Sequence, residues 1–254
     1  HYLVSIMEQQ KVGVIFCAGG KTRYIDEARF AARSVKKHMP DLPIALFTDK
    51  PVNKGREFDL VFESHDYDHP QKLKMHGMLH SPFERTLYID SDTLTQGDFT
   101  ELFGFLDFYD IGITHRVKCK WPPNSTPVFI DYVDSDCVQG GFLLFKKSEA
   151  ARAFIQDWAD EFFQTPGHLI QPGTEYGDQV VMNRVYKEHS KNSNIEILLL
   201  PNKVYNARPW MWNQLKKDGI WSQTKILHAH GLNTPIHRKI MKKVGHRLSR
   251  MFEK

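Results

Sequence analysis

The feature that most constrains the fold is an apolar run from Thr86 to Leu94 that is interrupted by two carboxylates. Residues 87–89 are apolar and rich in side chains that favour strands, and this pattern predicts a strand with both faces buried in a parallel sheet. Asp90 and Asp92 follow directly, so they lie at the carboxyl end of that strand, where open α/β sheets bind ligands. Two carboxylates there repel each other unless a cation lies between them.

The cation that Asp90 and Asp92 suit is Mg²⁺ or Mn²⁺. A hard divalent ion takes oxygen ligands, and it is commonly held by one or two carboxylates together with the phosphates of a substrate. The pair therefore predicts a site for a divalent cation and a diphosphate. A D-x-D triplet is a weak motif by itself, and a polar turn after a strand is the alternative that it leaves open.

Length and composition limit the class of protein. The 254 residues suffice for one large α/β domain, and a net charge of +4 gives little support to nucleic-acid binding. The three cysteines have no C-x-x-C spacing, and no apolar run has the length of a membrane span. We therefore expect a cytoplasmic protein with neither a disulfide framework nor a cysteine metal site.

The chain opens with a predicted strand, helix and second strand, which indicates a parallel βαβ unit with a right-handed crossover. A long loop or edge excursion is predicted at 121–132, which is rich in proline. A loop is predicted at 205–212, whose aromatic residues suit either a sugar-binding face or core packing. The predicted strands besides the central one are 11–18, 43–47, 110–114, 139–145, 195–200 and 226–231. The predicted helices are 26–38, 72–80, 99–108 and 148–163, with another that opens at Gly177.

Two further stretches carry candidate binding residues. Gly19 and Gly20 follow the first predicted strand without the G-x-G-x-x-G spacing of a dinucleotide site, so they favour either close approach of the backbone to a ligand or a plain turn. His228 lies near the end of the last predicted strand. A neutral imidazole there could complete an Asp, Asp, His shell, which suits Mn²⁺ as well as Mg²⁺.

Five pieces of the sequence, in order, resemble the retaining, family 8-like branch of nucleotide-diphospho-sugar glycosyltransferases. The pieces are the first strand with its helix, the D-x-D strand with its flanks, Gln139-Gly140-Gly141, Gly177-Asp178-Gln179, and His228 to Gly231. The resemblance covers about residues 12–235. It implies an α/β protein of the GT-A fold, with a single mixed, mostly parallel sheet flanked by helices. It also implies transfer of a hexose, with retention, from a UDP-sugar to a glycan, glycolipid or protein hydroxyl, with UDP-glucose or UDP-galactose as the expected donor.

The resemblance implies roles for the residues that hold the nucleotide and the metal. The nucleoside would be held by the stretch from Ala18 to Tyr24, in which Gly19 approaches the ligand and Tyr24 stacks on the base, together with Asp49. The metal, Mn²⁺ or Mg²⁺, would be bound by Asp90, Asp92 and His228. Ser91 lies between the two carboxylates, and Lys74 would lie near the phosphates.

The resemblance also implies the residues around the donor sugar. Gln139, Gly140 and Gly141 would line the sugar, and Asp178 and Gln179 fall nearest the reacting carbon. A retaining enzyme either forms a covalent intermediate or guides the acceptor in on the side of the leaving group. Because an amide is a poor nucleophile, Gln179 favours this front-side attack, with Asp178 positioning the sugar or the acceptor.

One departure from the family leaves a role open. Many members continue after the His-x-x-Gly piece with Lys-Pro-Trp, whose lysine contacts the diphosphate, whereas this chain has Thr234-Pro235-Ile236. Neutralisation of the phosphates could fall to Lys74, Arg238 or Lys239. Two other function classes also stay open: a sugar-nucleotide pyrophosphorylase, and a non-catalytic glycan-binding protein.

The end of the chain differs from the predicted catalytic domain, residues 1–234. Within residues 235–254, apolar side chains recur every four positions among many lysines and arginines, which predicts a basic amphipathic helix. Such a helix either packs on the domain or makes peripheral contact with an anionic membrane or glycolipid.

Overall fold

The computed structural model describes residues 11–64, 67–120, 122, 127–170, 177–191 and 194–233, without the side chains of residues 135 and 136. The predicted amphipathic helix at 235–254 lies outside the described residues. Within the described ranges, every helix is too short or too polar to span a bilayer.

The described chain opens with a strand, a helix and a second strand, as predicted, and further along some strands and some helices follow one another directly. The strands are β1 (Val12–Cys17), β2 (Ile44–Thr48), β3 (Leu60–Glu63), β4 (Arg85–Ile89), β5 (Thr93–Thr95), β6 (Ile111–Lys120), β7 (Val128–Lys146), β8 (Ile197–Leu200) and β9 (Ile226–His228). The α-helices are α1 (Thr22–His38), α2 (Lys72–Leu79), α3 (Leu102–Phe105), α4 (Glu149–Gln164), α5 (Asp178–His189), α6 (Asn202–Tyr205) and α7 (Pro209–Lys217).

Seven strands form one mixed sheet in the order β3-β2-β1-β4-β7-β6-β8. Strands β3, β2, β1 and β4 pair in parallel, β7 is antiparallel to both of its neighbours, and β6 pairs in parallel with β8. The predicted α/β class with a mostly parallel sheet is therefore confirmed. The carboxyl ends of β1, β2 and β4 meet at the same edge, so the loops that follow them lie together.

Apolar side chains on both faces of the sheet explain why β1 and β4 read as continuous hydrophobic runs. Val14 and Leu87 point into the core beneath α1, whereas Ile15 and Tyr88 point into the core beneath α2, α4 and α5. The predicted apolar stripe of α4 is buried as expected, with Trp158 at its centre. A third, smaller cluster packs α7 against β6 and β9.

Two stretches that were predicted as irregular contain regular structure. Residues 121–132, predicted as a long loop or an edge excursion, become strand at Val128, where β7 begins its antiparallel pairing with the end of β6. Residues 205–212 are not one loop, since Trp210 and Trp212 lie on α7, whose first residue, Pro209, suits a helix start. Strands β3 and β5 were not predicted; both are short, and β5 pairs with β9, which lies far away in sequence.

Candidate metal and donor site

The turn between β4 and β5 brings the two predicted carboxylates to the edge of the sheet. Asp90 donates its backbone N–H to Gly141 O at 3.0 Å, which extends the pairing of β4 with β7 by one residue. Strand β5 then pairs with β9, so that Thr93 lies opposite His228. Ser91 occupies the turn itself, between the two carboxylates.

The three predicted metal ligands meet at this point. Asp90, Asp92 and His228 each offer a ligand atom, and these atoms all lie within 4.8 Å of one another. His228 Nε2 is 3.0 Å from Asp92 Oδ1 and 3.6 Å from Asp90 Oδ2. The Asp92 side chain is 7% exposed and that of Asp90 is 30% exposed, so the group is open on the Asp90 side only.

The electrostatics around Asp92 favour its ionised form. Burial opposes ionisation, but His228 and His230 outweigh it and hold the pKa of Asp92 well below its usual range. His230 Nδ1 lies 2.8 Å from Asp92 Oδ2, and this hydrogen bond raises the pKa of His230. Glu27 of α1 is close enough for burial and the Asp92 charge to raise its pKa. Asp92 is therefore ionised, and His230 contacts its second carboxylate oxygen.

The residues present fit a divalent cation. Two carboxylates and one imidazole form a mixed oxygen and nitrogen donor set that suits Mn²⁺ and also Mg²⁺. Their arrangement leaves no room for a side chain at Gly141, where a Cβ would lie 2.3 Å from His228 Cε1 and 2.7 Å from Asp90 Oδ2. The glycine thus lets β7 pass directly beside the three ligands.

Lys74 of α2 joins this group to the predicted catalytic residues. Its Nζ lies 2.9 Å from Asp178 Oδ2 and 3.5 Å from Asp90 Oδ1, and the side chain is buried beside the rings of Tyr88 and Trp158. Burial disfavours the ammonium form, but Asp178 and Asp90 outweigh it and raise the pKa of Lys74. Lys74 is therefore a permanent cation that both carboxylates already neutralise. Tyr88 also donates a hydrogen bond from its hydroxyl to Asp90.

Asp178 and Gln179 begin α5 and face β7. Gln179 Oε1 accepts the N–H of Gly140 at 2.9 Å, and its Nε2 donates to Val138 O. One turn further, Asn183 accepts the N–H of Val138 at 2.8 Å. These bonds fix the start of α5 against the middle of β7.

Gln139, Gly140 and Gly141 lie in β7 beside these residues. A Cβ on Gly140 would meet Met182 Sδ at 3.2 Å and Lys74 Nζ at 3.6 Å, on the face opposite to that of Gly141. The side chain of Gln139 is buried, and its Oε1 has no hydrogen-bond partner within the described residues.

The predicted nucleoside residues lie at the ends of β1 and β2. Asp49 Oδ2 accepts the N–H of Gly20 at 2.6 Å, and a Cβ on Gly19 would lie 3.0 Å from the same oxygen. Gly20 has φ +77°, a conformation that glycine adopts readily. Ala18 is buried and donates its N–H to Phe47 O, and Tyr24 lies in the first turn of α1, beneath the guanidinium of Arg23.

Two residues of the mispredicted aromatic segment belong to the site. Asn206 is buried, and its Oδ1 lies 2.7 Å from His228 Nδ1. Arg208 is half-buried, lies over the ring of Trp210 at 5.0 Å, and has an Nε with no hydrogen-bond partner within the described residues. Burial lowers the pKa of Arg208, while Asp92 and Asp90 act in the opposite direction, which places the guanidinium within electrostatic reach of both. The sequence carried no signal for either role beyond the polar residues themselves.

Other aromatic residues of that segment are structural. Trp212 donates its ring N–H to Ala207 O at 2.9 Å and packs edge-on against Trp221. Tyr205 is buried and donates its hydroxyl to Glu101. Of the two explanations for this aromatic density, core packing holds for these two residues.

Comparison with known proteins supports the fold. The chain is similar to the structure of the glycosyltransferase GlyE from Streptococcus pneumoniae TIGR4, with 18% identity and a TM-score of 0.57, over 86% of this chain and 54% of that one. It is also similar to the galactosyltransferase LgtC in complex with donor and acceptor sugar analogues, with 12% identity and a TM-score of 0.54, over 86% of this chain and 87% of that one.

These similarities show that the chain has the GT-A fold of glycosyltransferases. The chain spans about half the length of GlyE, whose apo form gives a similar match with a TM-score of 0.54. No family model matches the sequence, and no curated protein matches it either.

Proposed function

We propose that this protein is a metal-dependent glycosyltransferase that moves a hexose from a UDP-sugar to an acceptor hydroxyl with retention of configuration. The observation that carries the proposal is the group formed by Asp90, Asp92 and His228, at the carboxyl end of β4 in a GT-A sheet. This is the edge at which open α/β sheets bind ligands, and the donor set suits the cation that a diphosphate needs.

The donor would lie along the edge formed by β1, β2 and β4. Ala18, Gly19, Tyr24 and Asp49 would hold the uridine, since they lie at the ends of β1 and β2 and at the start of α1. Asp90, Asp92 and His228 would hold Mn²⁺ or Mg²⁺. When bound, the cation would neutralise the diphosphate and the leaving UDP.

A second positive charge for the phosphates would come from Arg208. Lys74 is already engaged by Asp178 and Asp90, which leaves it little capacity for a phosphate. Arg208 lies within reach of the same carboxylates and has an uncommitted Nε within the described residues. A planar guanidinium suits phosphate oxygens. Arg238 and Lys239, the other candidates, lie outside the described residues.

The bonds of Asp178 and Gln179 support front-side attack. The ion pair with Lys74 makes the Asp178 carboxylate a weaker nucleophile. Both ends of the Gln179 amide bind the backbone of β7. In the proposed reaction the acceptor hydroxyl oxygen bonds to the anomeric carbon on the face from which UDP leaves. The bond from that carbon to the phosphate oxygen breaks, and a phosphate oxygen of the departing UDP takes the acceptor proton. Asp178 positions the sugar or acceptor. Gln179 holds Gly140 in place and offers its remaining carbonyl lone pair to the developing positive charge.

The donor sugar and acceptor are proposed by similarity. LgtC is a galactosyltransferase, and its structure is a complex with donor and acceptor sugar analogues. UDP-galactose or UDP-glucose is accordingly the first donor to test, with a glycan, glycolipid or protein as acceptor. A cytoplasmic location, with peripheral membrane contact through residues 235–254, belongs to the same proposal.

The test is turnover of UDP-sugars with Mn²⁺, with Mg²⁺ and with a chelator. We expect release of UDP that depends on the metal and that Asp92→Ala nearly abolishes. Asp98→Asn, which changes a carboxylate that accepts hydrogen bonds from Thr100 just after β5, is the matched control and should leave the rate near that of the parent. An Asp92→Ala protein with metal-dependent UDP binding and turnover close to the parent would contradict the assignment.

Other products would point to the alternatives. Release of pyrophosphate from UTP would indicate a sugar-nucleotide pyrophosphorylase. Glycan binding without any effect of nucleotides on thermal stability would indicate a non-catalytic binding protein. A product of inverted configuration would refute retention, and a glycosyl adduct on Asp178 in intact-mass spectra would refute front-side attack.

A further inference from the structure

Asn206 connects the candidate metal ligand His228 to the main sheet. It follows α6 directly and is 1% exposed. Its Nδ2 donates to Thr114 Oγ1 of β6 at 2.9 Å, and its Oδ1 lies 2.7 Å from His228 Nδ1. The backbone beside it is also fixed, because His228 donates its N–H to Ala207 O at 3.0 Å. The buried Asn206 side chain therefore holds the imidazole through Nδ1, whereas Nε2 is the ring nitrogen that faces Asp92.

The direction of the Asn206 amide determines which nitrogen of His228 carries the proton. A neutral imidazole has one N–H donor and one acceptor nitrogen. With Oδ1 of Asn206 facing Nδ1, the proton belongs on Nδ1. The lone pair is then on Nε2, which faces Asp92 Oδ1 and Asp90 Oδ2.

The opposite arrangement does not allow a metal at this place. If the amide were reversed, its N–H₂ would face Nδ1, which would then have to accept, so Nε2 would carry the proton. A protonated Nε2 cannot bind a cation between the carboxylates. With Nε2 on a metal, a reversed amide would instead set two donors against each other, at a cost of about 1–3 kcal/mol for a buried unsatisfied group.

We infer that Asn206 is a positioning residue that selects the Nδ1–H tautomer of His228 and thereby presents Nε2 to the metal. The inference rests on the metal-binding role proposed for Asp90, Asp92 and His228, but not on the donor or on the reaction. Partners of this kind behind a metal-binding histidine typically change metal affinity 10–100-fold when they are removed. Thr114 holds the other end of the Asn206 amide through its hydroxyl, which accepts from Nδ2.

Asn202 is a matched control for the rival explanation, that Asn206 only packs the chain between α6 and β6. It lies at the other end of the same short helix and is similarly buried, 2% exposed. Its Nδ2 donates to His115 O at 3.0 Å and to Tyr132 O, both outside the metal group. Asn202→Ala should therefore lower stability without changing the tautomer of His228.

The test uses the full chain with metal alone, without nucleotide or sugar. The dissociation constant for Mn²⁺ is measured by the electron paramagnetic resonance signal of the free ion, and thermal unfolding is recorded without metal. We expect Asn206→Ala to weaken Mn²⁺ binding by about 10–100-fold. Asn206→Asp, which keeps an acceptor for Nδ1–H, should recover most of that loss, and Asn202→Ala should bind Mn²⁺ as the parent does.

A spectroscopic readout tests the tautomer directly. With Zn²⁺ as a diamagnetic probe, ¹H–¹⁵N spectra should show a slowly exchanging Nδ1–H for His228, assigned by its loss in His228→Gln. Asn206→Ala should speed the exchange of that proton.

Several results would overturn the inference. They are a proton on Nε2 in the Zn²⁺ form, equal losses of Mn²⁺ affinity in Asn206→Ala and Asn202→Ala, no recovery in Asn206→Asp, or a parent that binds neither ion. A protein that fails to transfer sugar but passes these tests would refute the proposed function and leave the role of Asn206 intact.

Discussion

Gly141→Ala tests the site with the smallest possible change, one methyl group. The added Cβ would lie 2.3 Å from His228 Cε1, 2.9 Å from His228 Nδ1 and 2.7 Å from Asp90 Oδ2. Ordinary contacts begin at 3.4 Å. The imidazole would therefore have to retreat by the difference between 3.4 Å and 2.3 Å, about 1.1 Å. Its hydrogen bond to Asn206 and the backbone bonds on both sides of β9 oppose that movement.

The expected effect on metal binding is large. Metal–ligand bonds tolerate shifts of only about 0.2 Å, so a displaced His228 is lost as a ligand. We expect Mn²⁺ affinity to fall at least about 100-fold, the upper end for loss of a supporting partner alone. The crowding should also lower the free energy of unfolding by about 1–3 kcal/mol.

Gly140→Ala is the control. It adds the same methyl group to the neighbouring residue, where the nearest atom is Met182 Sδ at 3.2 Å, on a flexible side chain. Calorimetric titration with Mn²⁺ and urea unfolding without metal measure both effects. If Gly141→Ala binds Mn²⁺ as tightly as Gly140→Ala does, the three residues do not form the metal site as described.

Three further predictions concern charges and hydrogen bonds around the site and the sheet. Lys74→Met leaves Asp90 and Asp178 facing each other without a cation. The free energy of unfolding, measured in urea without metal, should therefore fall by on the order of 2–3 kcal/mol, a value kept low because both carboxylates are partly exposed. Adding Asp178→Asn to Lys74→Met should recover part of that free energy. Burial opposes the ionisation of Asp110, but its contacts with the Glu196 N–H, Ser148 and Lys146 outweigh burial and lower its pKa. Ionised Asp110 therefore stabilises the fold above its ordinary pKa of 3.8, and this stabilisation is lost as pH falls through the lowered pKa. The free energy of unfolding of Asp110→Asn should therefore be about 1 kcal/mol below that of the parent at pH 7. A difference between the two proteins that is as large at pH 3 as at pH 7 would contradict this reasoning. Gln179→Ala should lower kcat by about 10–10³-fold while UDP-sugar affinity stays close to the parent's. An unchanged kcat would show that Gln179 only binds the backbone of β7 and has no part in the reaction.

The sequence by itself determined the α/β class of the fold and the position of the candidate metal-binding group. Residues 87–89 had to be a strand buried on both faces because they are apolar at every position, and Asp90 and Asp92 had to follow at its carboxyl end. The stripe of α4 likewise fixed which face of that helix is buried. These are local patterns with a period set by the backbone, so they can be read without knowing any partner.

Tertiary structure alone decided how distant groups pair. The start of β7 at Val128 depends on its ladder with β6, and the helical state of Trp210 and Trp212 depends on the cluster beneath α7. The position of Lys74 between Asp90 and Asp178 and that of Asn206 behind His228 join residues from separate parts of the chain. The sequence shows that these side chains can donate or accept, but hydrogen bonds and ion pairs act over a few ångströms, so only the folded chain determines which partners come within reach.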